Sequence, residues 1–274
     1  MSVKEGSLGA PIRHPVDWEN PEFVDEKLLD DEMRRVFDIC HGCRRCFNLC
    51  ESFPKLFDLI DESKSGELDS VESKNFKDVV DACTLCDMCF LTKCPYVPPH
   101  EFNLDFPHLM LRYRVLERKN KKSSLIDDQL TKTDRNGKFF SKFSNLANWS
   151  TKTSNKITRP VMEMFLKIDK EADLPMFYKD TLMTMVENDK AISTSKEKVV
   201  IFPTCFVNYN NPNLGLVAKK IFQKLKIDHQ FFYDVCCGMP QLEGGDIQSV
   251  KEKAESTSSK LKQYIDEGYK VISI

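Results

Sequence analysis

No apolar run in this 274-residue sequence approaches the length needed to cross a bilayer, so no transmembrane helix is expected. Residues Met1 to Pro15 contain no apolar h-region, so no secretory signal is expected either. There is no G-x-G-x-x-G, and Gly244-Gly245 is too short to read as a phosphate loop, so no flavin or nicotinamide site is visible. The five histidines are His14, His41, His100, His108 and His229, and no Ser/His/Asp or paired-carboxylate arrangement stands out among them. Charge is plentiful but balanced. The net charge of −2 gives no global pull toward nucleic acid or an acidic membrane.

What is present in excess is cysteine. There are eleven, and without an export signal they point to metal ligation in a reducing compartment, with the cytoplasm as default. Eight stand in two runs: Cys40-x2-Cys43-x2-Cys46-x3-Cys50, and Cys83-x2-Cys86-x2-Cys89-x4-Cys94-Pro95. This spacing resembles that of bacterial two-cluster ferredoxins. Three cysteines at intervals of three fit a short curl that sets three thiolates on one side of a cluster. The same curl can aim backbone N–H groups at the sulfides. In two-cluster ferredoxins the fourth ligand comes from the other run. That resemblance assigns Cys40, Cys43, Cys46 and Cys94 to cluster 1, and Cys83, Cys86, Cys89 and Cys50 to cluster 2. Two departures stand out: Glu51 follows Cys50 where the motif has proline, and the last spacing is four residues where the motif has three. Zinc is the competing metal, but structural zinc sites use paired C-x2-C units, and three successive cysteines per run suit it poorly. A disulfide framework needs a secreted chain. His41, between two proposed ligands, reads as a hydrogen-bonding residue near the cluster rather than a ligand.

Along the chain, residues 1–20 read as an irregular arm broken by Pro11 and Pro15. A helix follows from Pro21, with Leu29, Met33, Val36, Phe37 and Cys40 on one face. Residues 54–62 predict a short helical piece, and Phe76, Val79, Val80 and Cys83 repeat the helical device before the second run. The proline-rich stretch Pro95–His100 leads to a helix carrying Phe106, Leu109, Met110, Tyr113 and Leu116. Its far end is basic, with Arg112, Arg114, Arg118, Lys119, Lys121 and Lys122. The plain reading is a solvated helix end, and the sharper one a docking patch for an acidic partner or anionic lipid. Residues 123–196 read as a helical and irregular connector. Val161, Met164, Phe165 and Ile168 share one face, and the methionines (Met162, Met164, Met176, Met183, Met185) read as gap-filling core. The polar segment from Glu187 to Lys198 marks the domain boundary.

From 197 the periodicity changes. Val199–Phe202 predicts a buried strand, with Cys205 just past its end. Leu214, Val217, Ile221, Phe222 and Leu225 predict an amphipathic helix, and Ile227 to Tyr233 a second strand leading into Cys236-Cys237-Gly238. Another helix carries Val250, Ala254, Leu261, Tyr264 and Ile265, and ends at Gly268 before a third strand from Tyr269. Strand–helix alternation implies a parallel sheet, with both cysteine sites at carboxyl ends of strands.

With Cys205-x30-Cys236-Cys237-Gly238 following two four-cysteine runs, residues from Pro21 to Ile274 resemble iron–sulfur subunits with cysteine-rich CCG domains. The type exemplified by the C subunit of anaerobic glycerol-3-phosphate dehydrogenase fits best, and heterodisulfide reductase subunits are related. The resemblance implies an α-helical two-cluster ferredoxin module (21–122), then a connector (123–196) and an incomplete α/β CCG domain (197–274). It implies two [4Fe–4S] clusters, with Cys205, Cys236 and Cys237 as candidate ligands of a further iron–sulfur cluster. It further implies electron transfer from a flavoprotein dehydrogenase subunit to a quinone or disulfide acceptor, in the cytoplasm or peripherally on the inner face of its membrane, without nucleic acid. The alternatives are a disulfide- or thiol-reducing enzyme acting at the CCG site, and a zinc-binding interaction module. Family members carry a second CCG motif. This sequence stops at Ile274 inside a predicted strand, so a fragment or shortened reading frame is expected.

Overall fold

The structure, a computed structural model, describes residues 10–120, 125–187 and 197–274. Lys121, Lys122 and most of the expected boundary from Glu187 to Lys198 lie outside these residues. The chain divides into two compact units, Met1–Ser123 with Leu242–Ile247, and Ser124–Gln241 with Gln248–Ile274. Among the described residues, no helix is long and apolar enough to cross a membrane.

The first unit is helical. A 3₁₀ turn at Pro21–Val24 precedes α1 (Glu26–Cys43), whose N-cap Asp25 accepts a hydrogen bond from the Leu28 N–H at 2.8 Å. The expected stripe of Leu29, Met33, Val36 and Phe37 is buried. It packs with α2 (Ser52–Asp61), α3 (Phe76–Asp81) and α4 (Phe106–Lys119), which contribute Phe53, Leu56, Phe57, Ile60, Val79, Val80, Leu109 and Met110 to the core. Aromatic rings knit these helices. Phe37 meets Phe76 edge-on at 5.1 Å, and Phe53 lies 4.7 Å from Phe106. Full burial of each such side chain contributes about 1.5–3 kcal/mol, and this tertiary packing stabilises a helix as short as α3, which would be marginal alone.

Three of the basic residues of α4 are engaged within the first unit. Arg112 donates to the carbonyls of Glu22 and Phe23, each at 2.6 Å, and Arg114 donates to those of Val80, at 2.7 Å, and Cys83. Arg118 pairs with Asp246 at 3.0 Å. Their forked donors satisfy helix-end carbonyls and an internal carboxylate.

The second unit holds α5 (Leu125–Leu130), α6 (Thr133–Lys142), α7 (Ser144–Thr151), α8 (Thr158–Leu166) and α9 (Leu182–Val186). These are followed by β1 (Lys198–Phe202), α10 (Cys205–Tyr209), α11 (Pro212–Lys224) and β2 (Asp228–Phe231). The chain then runs through α12 (Met239–Glu243) and α13 (Ile247–Asp266) to β3 (Tyr269–Ser273). The sheet is parallel, in the order β2-β1-β3, with Lys198 opposite both Asp228 and Tyr269. The central strand β1 is buried from Val199 to Phe202, as its continuous apolar run requires.

Two expectations about packing fail. Val161, Met164 and Phe165 of α8 are exposed, as are Met176 and Met185, so these three methionines are not core, whereas Met183 packs against buried Leu182, Val186 and Val207 as expected. The helix is anchored instead through Arg159, 1% exposed, whose guanidinium donates to the carbonyls of Asp169, Lys170 and Ala172. Likewise Leu214, Val217 and Ile221 of α11, and Leu225 at its C-cap, face outward. That helix seats on its Gly215 side, so close to Leu182 that a Cβ on Gly215 would stand 2.2 Å from Leu182 Cδ2. Close approach through a glycine outweighs the apolar stripe in fixing which face is buried.

Candidate iron–sulfur centres

The first cysteine run begins inside α1. Cys40 and Cys43 occupy its last turn, and Arg44, at φ 51°, ends it in the left-handed region. The second run follows α3 and curls through Leu85 (φ 50°) and Asp87 (φ 63°) into a π-helical turn, Cys89–Lys93. Left-handed backbone costs energy in a non-glycine residue and most in a bulky one. Leu85 is nevertheless held there between two cysteines, with its side chain buried.

The structure brings the two runs together. Cys40, Cys43, Cys46 and Cys94 line one cavity of about 20 Å³ with Phe53, Phe57 and Leu104. Burial first, and then the neighbouring thiols of Cys94, Cys46 and Cys43, push the Cys40 thiol well above its usual range. Burial likewise pushes Cys46 up to about 12. On the other side, Cys83 interacts with Cys50 and Cys86, and Cys89 with Cys83 and Cys50, and burial raises both thiols. Cys46 and Cys89 are also within electrostatic reach of each other. Several N–H groups point at sulfur: Leu85 at Cys83, Phe90 at Cys89, and Tyr96 and Val97 at Cys94. Donors of this kind stabilise thiolates and tune a bound cluster. Among the described residues no three Cys, His, Asp or Glu side chains converge as ligands of a single ion. Cysteines around a cubane bind different irons and stand farther apart than ligands of one metal. Apolar surroundings with N–H groups aimed at sulfur suit an iron–sulfur group, and since about 20 Å³ holds less than a cubane, the cysteines would part to admit one.

His41 turns away to hydrogen-bond Asp61 Oδ1 at 2.9 Å. Arg44, then His41, hold the Asp61 carboxyl down at about 2. One participant was not legible in the sequence. Arg13, from the arm read as irregular, forks onto Asp105 with two bonds of 2.9 Å and reaches Asp87 at 2.6 Å. Its guanidinium carbon also lies 4.3 Å from the Phe90 ring centroid. It thereby clamps the curl of the second run to the start of α4.

In the second unit, Cys205 opens α10 just beyond β1, where the N-cap Thr204 accepts from the Val207 N–H. Cys236 lies beyond β2. Their Sγ atoms are 3.5 Å apart, Cys236 is fully buried, and Cys237 is exposed. Contacts from Cys205 and Cys237 and from the Gly238 N–H favour the Cys236 thiolate, while Cys205 holds its proton more tightly. Gly238 sits at φ 93°, so its role is first conformational: a side chain there would be strained.

Helix α6 supplies what sequence reasoning missed. Both carboxylate oxygens of Asp134 accept from the Cys236 N–H, at 3.0 and 2.9 Å. The same carboxylate accepts from Lys253 at 2.7 Å and from the Tyr233 hydroxyl. Asp134 raises the Tyr233 phenol further, after burial. The neighbouring Thr133 hydroxyl is buried without a hydrogen-bond partner of its own, and it lies against the Cys205 and Cys236 sulfurs. Thr133 and Asp134 fall in the stretch that reads only as a helical and irregular connector, and no local signal links them to residues a hundred positions away.

With this geometry in view, residues 199–274 match the family model of the CCG cysteine-rich domain. The chain is 28% identical over 144 residues to the C subunit of anaerobic glycerol-3-phosphate dehydrogenase from Escherichia coli K12, covering 52% of this chain and 36% of that protein. It is also 28% identical over 96 residues to citrate utilization protein B of Escherichia coli, covering 34% of this chain and 23% of that one. The matches thus span about a third or less of these relatives' length. No solved structure matches. The chain carries a CCG cysteine-rich domain and is homologous, at modest identity, to the glycerol-3-phosphate dehydrogenase C subunit.

Proposed function

We propose that this protein is an iron–sulfur electron-transfer subunit of a dehydrogenase complex. In this reading a helical module over residues 21–122 holds two [4Fe–4S] clusters, one on Cys40, Cys43, Cys46 and Cys94 and one on Cys83, Cys86, Cys89 and Cys50. The clusters supply one-electron redox capacity. The protein supplies burial, N–H donors to sulfur and the contact between the two cysteine sets. Electrons arrive from a flavoprotein dehydrogenase partner and leave through the CCG site, Cys205, Cys236 and Cys237, to a quinone or disulfide.

The observation that carries the reading is the mixed make-up of the cavity-lining set: three cysteines from the first run with Cys94 from the second, in apolar surroundings. A linear metal-binding hairpin would keep each run to itself. Similarity to a named dehydrogenase subunit supports the relay role and a dehydrogenase partner. The test is anaerobic purification with iron and sulfide analysis. Brown protein with stoichiometric iron and inorganic sulfide is expected, and Cys94→Ser should remove one cluster signal and spare the other. Zinc in place of iron, without sulfide, overturns the proposal.

One observation favours a second reading. Cys205 and Cys236 are near enough for a small side-chain movement to form a disulfide. As a thiol–disulfide enzyme, the pair would give two electrons and two protons to a substrate disulfide, which becomes two thiols, while the pair itself becomes oxidised. Cys236→Ser separates the readings. Loss of disulfide reduction with both cubane signals intact supports the enzyme, and loss of quinone reduction alone supports the relay.

A further inference from the structure

A cavity of about 430 Å³ opens in the second unit between α6, the segment leading into α9, the end of α10 and the turn after β2. That volume suits a small organic molecule. Three lysines from two separate segments converge on it: Lys138 and Lys142 from α6, and Lys179. Among the described residues, Lys142 and Lys179 make no ion pair. The one carboxylate on the wall, Asp234, is already held by Lys260 at 2.5 Å and by the Ser256 hydroxyl at 2.8 Å, and it also feels Lys138. Ser141 contributes to the wall. It is 3% exposed, and its hydroxyl is buried without a hydrogen-bond partner. A native protein rarely leaves such a group unsatisfied, and a serine hydroxyl can swing between staggered positions to meet an acceptor. The remaining wall is made of Thr181, Met183, Asn208 and two tyrosines. Tyr209 and Tyr233 meet edge-on at 6.0 Å, and burial, the largest effect, then Asp134, push the Tyr209 phenol up to about 12.

Cations at the rim, an unsatisfied hydroxyl in the wall and apolar ring surface together describe one kind of guest. We propose that this cavity binds a small organic anion, with a phosphate or carboxylate head among Lys138, Lys142 and Lys179 and an apolar body against Tyr209 and Tyr233. Lysine suits such a head as a mobile point charge, and charge-assisted bonds give the site its strength. The site depends on neither the clusters nor the relay reading, because none of the eleven cysteines lines it. It nevertheless adjoins the CCG loop, since Tyr233 on its wall bonds the carboxylate that holds the Cys236 N–H.

The test is calorimetric titration of the full chain, purified anaerobically, with phenyl phosphate, benzoate and benzyl alcohol. These three probes share an aromatic body and differ in head group. Saturable binding of either anion, or of both, is expected, and which one binds tells a phosphate site from a carboxylate site. The neutral alcohol should not bind. Lys142→Gln with Lys179→Gln should weaken binding by about tenfold or more, and Ser141→Ala by about threefold. The two lysines are exposed, so their replacement should leave the thermal melt unchanged, and Lys142→Arg should retain binding. Absence of saturable binding up to about 10 mM overturns the proposal, as does equal binding of the alcohol or equal affinity in the double-lysine variant.

Discussion

Removal of the Asp134 carboxylate should loosen the CCG loop without touching a cysteine. In Asp134→Ala three donors lose their acceptor at once: the Cys236 N–H, the Tyr233 hydroxyl and the Lys253 ammonium. A buried donor left unpaired costs about 1–3 kcal/mol. The ammonium contributes less than a fully buried charge, because the Lys253 side chain is 18% exposed and can turn its head toward water. The sum is about 3 kcal/mol, roughly a hundredfold in the folding equilibrium. Asp134→Asn keeps one acceptor oxygen and loses the charge, so about half that loss is expected. Urea unfolding followed by Trp149 fluorescence, in a Trp18→Phe background, reports on the second unit, where Trp149 belongs to α7. Alkylation of Cys236 in the cluster-free protein should quicken in parallel. If Asp134→Ala unfolds within about 0.5 kcal/mol of its parent and Cys236 remains equally protected, the carboxylate does not hold the loop and the reasoning is wrong.

Four further outcomes are expected. Arg13→Ala removes the fork on Asp105, the bond to Asp87 and the contact with Phe90, and should cost the first unit about 2 kcal/mol in a chemical melt. Arg13→Lys should recover less than half of this, since an ammonium cannot fork. Burial, then the charge of Asp105, set the His108 pKa, and the net shift is below the usual 6.5. The folded protein therefore binds fewer protons than the unfolded chain, and stability present above 6.5 should fall as pH drops through the lowered value. Unfolding curves between about pH 7 and pH 5 should show this slope, and His108→Gln should flatten it. Gly137→Ala, favourable in an isolated helix, would put a Cβ 2.3 Å from Tyr209 Cδ2, and should lower stability by about 1–3 kcal/mol, measured by thermal melting. Chelation with oxidation should unfold the helical module, read as lost ellipticity, because cluster binding and folding are coupled. An unchanged melt would count against resident clusters.

Much of the architecture was readable. Leu29, Met33, Val36 and Phe37 recur at helical spacing, and a helix can bury them only on one side. Val199–Phe202 is apolar at every position, which fits a strand covered on both faces, and it became the central strand. The same kind of argument misled at α8 and α11. Periodicity says which residues share a face, but not which face finds a partner. Arg159 and Gly215, one charged and one without a side chain, settled that through carbonyls and close approach.

Local sequence was thus enough to specify α1 to α4, α11 and α13 and the alternation of strands and helices that makes the sheet parallel, because each depends on neighbours within a few positions. The clamp of Arg13 on Asp87 and the grip of Asp134 on Cys236 depended on the fold, and the meeting of Cys94 with the first run was expected only through the ferredoxin resemblance. These contacts join residues roughly fifty to a hundred positions apart. Their energies exist only after the chain has given up the entropy of bringing them together, so no local pattern records them.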